Sequence, residues 1–234
     1  NTWKETRLKF HKAIGLPAEK LKYHDHDKLA HYANAAVDIE YQFPFGFREI
    51  EGIHSRTDFD LKNHQELSKK KQQYFDPELG EDGKAIGNYI PYVVETSVGA
   101  DRLFLATFCN AFTQETGEKE RTYLKLHPAL APIKAAVLPL VKKDGLAEKA
   151  QEIANSLKSS FRTIYDDGGA IGKRYTRQDL IGTPYCIAVD YQTMEDNTVT
   201  IRHRDSMEQE RIAISDLKEK IGYEVAMERI LEAI

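Results

Sequence analysis

Residues 35–43 alternate without a break, with Ala35, Val37, Ile39, Tyr41 and Phe43 set against Ala36, Asp38, Glu40 and Gln42. A period of two held over this length predicts a β-strand with one buried face. Pro44-Phe45-Gly46 turns the chain, and Phe47-Arg-Glu-Ile-Glu-Gly-Ile-His-Ser55 supplies a second strand, expected to pair antiparallel with the first. On alternation alone, Glu49 and Glu51 share one face of that strand and Ile50 lies on the other.

The elements around this hairpin follow from spacing. Residues 2–14 place Trp3, Leu8, Phe10 and Ile14 among charges at a helical period, and Gly15 and Pro17 stop the helix. The segment from Tyr23 to Tyr32 holds three histidines and two aspartates within eight residues, and a solvated helix start is expected there, not a metal site. Thr57 or Asp58 is placed to cap a helix carrying Leu61, His64 and Leu67. Residues 76–88, rich in Gly, Asp and Glu, read as a loop. Tyr92, Val93 and Val94 then read as a short buried strand, and Leu103, Leu105, Ala106 and Phe108 as a helix packed on it.

Glu95, Ser97, Asp101 and Arg102 sit at that strand-to-helix joint. Such charges are costly to desolvate without partners, and Gly99 allows backbone or ligand to come close. Two readings stand open on these residues: a structural Glu–Arg pair closing a strand end, or a ligand site. Glu49, Glu95 and Arg102 come from separate segments of one antiparallel sheet, which can hold them rigidly on one face.

Beyond Phe112 the pattern changes. Residues 113–121 are polar and without period, and read as a linker. Strand, helix and strand follow at 131–141, 146–157 and 161–165, then a short helix at 177–181. Strands at 185–191 and 198–204 are joined through Glu195-Asp-Asn197, and Ile212, Ile214, Leu217 and Ile221 lead into a closing helix. The expected fold is α+β / α/β: an antiparallel-sheet domain over 1–118, then a small, mostly parallel α/β domain over 122–234.

Of the 234 residues, 41% are hydrophobic and 30% charged, which fits a globular protein and excludes a disordered one. No apolar run approaches the roughly 20 residues of a membrane helix. Asn1-Thr-Trp-Lys has no signal-peptide character and no Met, so a longer parent chain is expected. Cys109 and Cys186 lie far apart in apolar settings and read as reduced core residues of a cytoplasmic protein. A net charge of −4 gives no global case for nucleic acid, so any RNA contact must be local. Lys173, Arg174, Tyr175 and Arg177 form one such cluster, of the kind single-stranded loop recognition favours, with a solvated basic turn as the alternative. Gly168-Gly-Ala-Ile-Gly-Lys-Arg174 lacks the spacing and the Ser or Thr of a phosphate loop. Arg202-His-Arg204 reads as alternate strand positions facing water.

Glu95-Thr-Ser-Val-Gly-Ala-Asp-Arg102 resembles motif 3 of class II aminoacyl-tRNA synthetases, in the form found in glycyl-tRNA synthetases of the homodimeric type. Asp38-Ile-Glu-Tyr-Gln-Phe-Pro-Phe-Gly-Phe-Arg-Glu-Ile-Glu-Gly-Ile-His-Ser-Arg-Thr-Asp-Phe-Asp-Leu61 resembles a second block of that family, and Tyr165 to Tyr185 resembles part of its anticodon-binding domain. The resemblance runs from Trp3 to about Lys220, with departures at Arg48, Glu51 and the loop 76–88. It implies ATP contacts at Glu49, Ile50, Gly99, Ala100, Asp101 and Arg102. It implies glycine contacts at Glu95, Thr96, Ser97, Val98 and Gly99. No residue here is expected to be a covalent catalyst or a dedicated metal ligand, and Mg2+ is expected to arrive with ATP. The implied partners are tRNA-Gly, glycine and a second copy of the full-length enzyme, with no membrane.

Motifs 1 and 2 of the class are not found, so the resemblance implies the C-terminal part of such an enzyme. The part alone is then expected to be inactive. Two other readings remain: a non-catalytic synthetase-like subunit that binds nucleic acid, against which the intact Glu95–Arg102 run argues, and a sister synthetase, against which the Glu49–Leu61 block argues.

Overall fold

The computed structural model describes residues 1–80, 85–117 and 120–234. These form two compact units, one of residues 1–8 and 17–106, the other of 9–16 and 107–234.

The chain opens with α1 (Thr2–Ala13), whose first turns belong to the first unit. Then come β1 (Leu21–Asp25), β2 (Ala35–Phe43), β3 (Gly46–Ser55), α2 (Phe59–Ser68), β4 (Tyr74–Leu79), β5 (Ala85–Tyr89), β6 (Val94–Val98) and α3 (Ala100–Ala111). Four strands make one antiparallel sheet in the order β1-β2-β3-β6. The alternation in β2 holds: Val37, Ile39, Tyr41 and Phe43 are buried, with Ile50 and Ile53 beside them.

In β3 the alternation fails. Glu40 pairs with Glu49 and Ile39 with Glu51, so Ile50 is an extra residue, a β-bulge. The bulge puts Glu49 and Glu51 on opposite faces instead of one. Glu51 joins the apolar face opposite Ile39 and is fully buried. Arg7 of α1 neutralises it, donating from Nε to Oε1 at 2.5 Å and from Nη2 to Oε2 at 3.2 Å. A buried carboxylate survives only with such a partner.

Three other segments depart from expectation. Residues 21–25 are an edge strand, so the His- and Asp-rich segment begins in a strand and not in a solvated helix start. Residues expected to form a loop over 76–88 include the paired strands β4 and β5, while positions 81–84 of that segment lie outside the described residues. The short buried strand placed at Tyr92–Val94 is instead β6, starting at Val94 behind Pro91, with Tyr92 and Val94 exposed. The carboxylate motif is thus the strand itself. Thr57 and Asp58 do precede α2, but neither side chain caps it: Thr57 Oγ1 bonds backbone oxygens and Asp58 makes no capping bond.

After α3 the second unit continues with a hairpin, β7 (Phe112–Glu115) and β8 (Arg121–Leu124), where a linker was expected. Tyr123 is buried there and donates to Glu115 Oε1 at 2.9 Å, which gives this polar stretch its hold. Next come β9 (Ala135–Pro139), α4 (Leu146–Leu157), β10 (Thr163–Tyr165), α5 (Ile171–Leu180), β11 (Tyr185–Val189) and α6 (Tyr191–Asp196). They are followed by β12 (Thr198–His203), β13 (Gln209–Ala213), α7 (Leu217–Val225) and α8 (Glu228–Leu231).

The five-stranded sheet has the order β10-β9-β11-β12-β13. Its first three strands are parallel, while β12 and β13 are antiparallel, so the sheet is mixed and not mostly parallel. β9 and β11 are buried at every position, as strands covered on both faces must be. The predicted stripe of α4 (Leu146, Ala150, Ile153, Leu157) joins Leu217, Ile221 and Val225 of α7 against Val137, Ile187, Val199 and Ile201. Among the described residues no helix is long and apolar enough to cross a membrane.

Candidate functional site

Strand register decides which motif residues can act together. β6 pairs with β3 so that Ser97 faces Gly52 and Glu95 faces His54. β2 places Asp38 opposite Gly52 and Ala36 opposite His54, and β1 adds His24 opposite Asp38. Cross-strand partners share a face, so Asp38, Gly52, Ser97, His54 and Glu95 form one polar patch. Glu49, paired with Glu40, extends the same face. Thr96 pairs with Ile53 and Val98 with Glu51, so their side chains take the opposite face. Only their backbone groups are available to a ligand on the polar side.

Arg102, in the first turn of α3, reaches across this face. Its Nη1 donates to the Glu49 backbone oxygen at 3.0 Å and to Oε2 at 3.2 Å. Both side chains are about half exposed, 57% and 48%, so the pair can exchange its contact for a ligand. Asp101 stands beside it, and Gly99 and Ala100 form the start of the helix. Gly99 also receives support from Ile50, whose carbonyl accepts its N–H at 3.2 Å. A Cβ at Gly99 would touch only the Arg102 stem, at 3.7–3.9 Å, an ordinary contact.

Glu95 does not pair with Arg102. Its partner is Arg56, which sequence reasoning missed. Arg56 Nη1 donates to Glu95 Oε2 at 2.6 Å, while Nε and Nη2 fork onto Asp60 at 2.7 and 3.1 Å. The guanidinium lies 4.1 Å from the Tyr32 ring centroid. Hydrogen bonds to Asp60 and Glu95 raise the Arg56 pKa, and the same bond from Arg56 holds the Asp60 carboxyl below its usual range. The one signal available in the sequence was the spacing of four between Arg56 and Asp60, although Arg56 itself precedes α2.

The basic cluster of the second unit is not a turn. Lys173, Arg174, Tyr175 and Arg177 lie on α5. Arg174 is buried, donating from Nη1 to the Pro139 oxygen at 2.5 Å and from Nε and Nη2 to the Gly169 oxygen. Tyr175 packs on Ala136, Leu138 and Cys186, and that burial pushes the Cys186 thiol up to about 12. Lys173 and Arg177 are exposed, and Arg177 forks onto Asp166. Arg202 and Arg204, expected to face water, are buried instead. Arg202 forms a bidentate pair with Asp179 at 2.9 Å, and Arg204 donates to the Gly182 and Leu126 oxygens. Arginines buried against carboxylates and carbonyls cannot also reach RNA.

Residues 134–223 match the family model described as an anticodon binding domain. The glycine–tRNA ligase of Treponema denticola is 51% identical over 231 residues, covering 95% of this chain and 50% of that protein. The glycine–tRNA ligase of Chlorobaculum tepidum is 51% identical over 219 residues, covering 93% of this chain and 45% of that one. That of Staphylococcus haemolyticus is 50% identical over 231 residues, covering 97% and 48%. The chain is therefore homologous to glycine–tRNA ligases over most of its own length, and it spans about half the length of these relatives.

Proposed function

We propose that this homologue of glycine–tRNA ligases is the C-terminal part of such an enzyme, joining the end of a class II catalytic domain to an anticodon-binding domain. The observation that supports this best is the polar sheet face, along which Glu95 and Ser97 of β6 and Glu49 of β3 lie on one side, with Arg102 of α3 bonded to Glu49. The whole enzyme activates glycine with ATP and passes the glycyl group to the terminal ribose of tRNA-Gly.

The residues present fit that chemistry. Arg102 offers a planar, half-exposed fork beside the Glu49 carboxylate, suited to adenine or to phosphate oxygens. Glu49, with Gly99, Ala100, Asp101 and Arg102, lines the nucleotide side, the buried Ile50 contributing only through its backbone, and Mg2+ accompanies ATP. ATP supplies the electrophilic phosphorus. The chain's own residues place the glycine carboxylate in line with it, where orientation and fixed charge carry most of the rate. Glu95, held by Arg56, takes the substrate ammonium. Ser97 donates or accepts beside it, and Thr96, Val98 and Gly99 present backbone groups. On α5, Lys173 and Arg177 face outward for tRNA, while Arg174 and Tyr175 brace the turn behind them. The reading includes a homodimer of the full-length enzyme, working in the cytoplasm.

The test uses the full-length parent protein: glycine-dependent exchange of pyrophosphate into ATP, and charging of tRNA-Gly. Both are expected. Exchange driven by another amino acid in preference to glycine would refute the substrate assignment, and no exchange with any amino acid would favour a non-catalytic subunit.

A further inference from the structure

Gly52 lies at the centre of the polar patch, between Asp38 and Ser97. Its backbone has no positive φ, so conformation does not require glycine there. Glycine inside a strand otherwise weakens it, and it marks a place where something must come close. Space is what distinguishes the position. A Cβ on Gly52 would sit 2.9 Å from His54 Cε1, and 3.5 Å from both His54 Nδ1 and Asp38 Oδ1. The gap above Gly52 is therefore lined by an imidazole edge and a carboxylate oxygen, beside Ser97 and Glu95.

The polar groups at this gap are set for a ligand. His54 Nδ1 is buried and makes no hydrogen bond. Buried polar atoms are rarely left so, and each needs an explanation. Asp38 turns its other oxygen, Oδ2, to His26 Nε2 at 2.9 Å. The approach is close but not aligned as a hydrogen bond. The His26 and His54 rings stand 6.2 Å apart, edge to face.

We propose that Gly52 and His54 set the size limit of the amino-acid subsite, a proposal that rests on the ligase reading above. The substrate Cα packs over Gly52, and the His54 imidazole fills the volume a substrate side chain would need. The Asp38 and Glu95 carboxylates accept from the substrate ammonium, with the His54 ring edge beside them. Rejection of larger amino acids then comes from the imidazole that already occupies this volume. An apolar pocket by itself discriminates a single extra methyl group only modestly.

The experiment uses the full-length enzyme and measures pyrophosphate exchange with glycine and with L-alanine, the KM for ATP, and the thermal midpoint. Gly52→Ala is expected to raise the KM for glycine at least tenfold while the KM for ATP stays within twofold. His54→Ala is expected to raise the alanine-to-glycine ratio of kcat/KM at least tenfold. The double variant should recover most of the glycine KM, because the atom that the new Cβ meets is gone. An unchanged glycine KM in Gly52→Ala, an equal rise in both KM values, or an unchanged ratio in His54→Ala would overturn the proposal. If Gly52→Ala does not fold, the ratio in His54→Ala decides alone. Absence of glycine-dependent exchange by the unaltered enzyme would instead overturn the ligase reading, and this one with it.

Discussion

Arg56 and Arg102 flank the same carboxylate strand yet do different work. Arg102 is half exposed with a single exchangeable partner, so its loss should be felt in function and little in folding. In the full-length enzyme, Arg102→Lys is expected to lower exchange by one to a few orders of magnitude, since removing a charge-stabilising contact costs ~2–4 kcal/mol. The thermal midpoint should stay normal. A collapsed midpoint, or unchanged exchange, would make Arg102 a structural residue. Arg56 is committed on three sides, to Asp60, Glu95 and the Tyr32 ring. A lysine cannot reproduce that fork. Arg56→Lys is therefore expected to raise the glycine KM about tenfold, because hydrogen bonds to charged groups are worth about 1.5–3 kcal/mol. An unchanged glycine KM would show that Glu95 holds its place without Arg56. The sequence revealed the residue types at this site but not their partners. Glu95 and Arg102 are seven residues apart and invited pairing. The strand-to-helix turn separates them, and only the tertiary fold brings Glu49 and Arg56 in.

Elements were legible wherever side-chain period and backbone regularity agreed. β2 and α4 are such cases, with their buried faces read directly. The span of β3 and its antiparallel pairing were legible too, but its faces were not, because Glu49-Ile-Glu51 alternates in type while the bulge at Ile50 reverses its faces. α5 was read only over its last turns, as a short helix at 177–181, because glycines at 168, 169 and 172 suggest a loop before it. The helix nonetheless starts at Ile171 and turns Arg174 and Gln178, four apart, inward. Antiparallel β13 was overlooked because Gln209-Glu-Arg211 is polar and sits on a sheet edge. At α6 the local chemistry is explicit: Asp190 caps the helix by accepting from Thr193 N at 3.0 Å and pairs with Arg211. The Arg211 bonds, ahead of the cap, hold the Asp190 pKa down at about 2 against 3.8. A depressed carboxylate stabilises the fold above its unfolded pKa, and the gain is lost as pH falls through about 2. At 1.36 kcal/mol per pKa unit this amounts to about 2 kcal/mol for a side chain that is 27% exposed. Asp190→Asn should cost that much in urea unfolding at pH 7 and much less at pH 2. An equal gap at the two pH values would rule out the charge as its source.

At the scale of the molecule, the division between units falls inside helices, between Leu8 and Lys9 in α1 and between Ala106 and Thr107 in α3. A boundary at 118/122 instead passes through the β7–β8 hairpin. That hairpin is fastened to the second unit by one side chain above all. Arg121 donates from Nη1 to the Arg204 oxygen at 2.8 Å, lies 3.8 Å from Asp179 and 3.4 Å from Glu115, and stacks 3.9 Å from the Tyr123 ring centroid. Leu124 and Leu126 meanwhile close over Gly182, where a Cβ would come within 2.9 Å of Leu126 Cδ1. We therefore propose that the autonomous second domain begins near Thr107 and not at Thr122. The prediction compares two shortened chains, 107–234 and 122–234. Cutting at 122 removes a ladder strand and a charge-assisted bond worth about 1.5–3 kcal/mol, and leaves Tyr123 without its cover. The longer piece should melt several degrees higher, and Arg121→Met within it should by itself abolish a large part of that difference. Equal midpoints for the two pieces would return the boundary to residue 122 and make the hairpin an appendage. A longer piece that melts lower would show that the strand needs residues 9–16 to hold it in place.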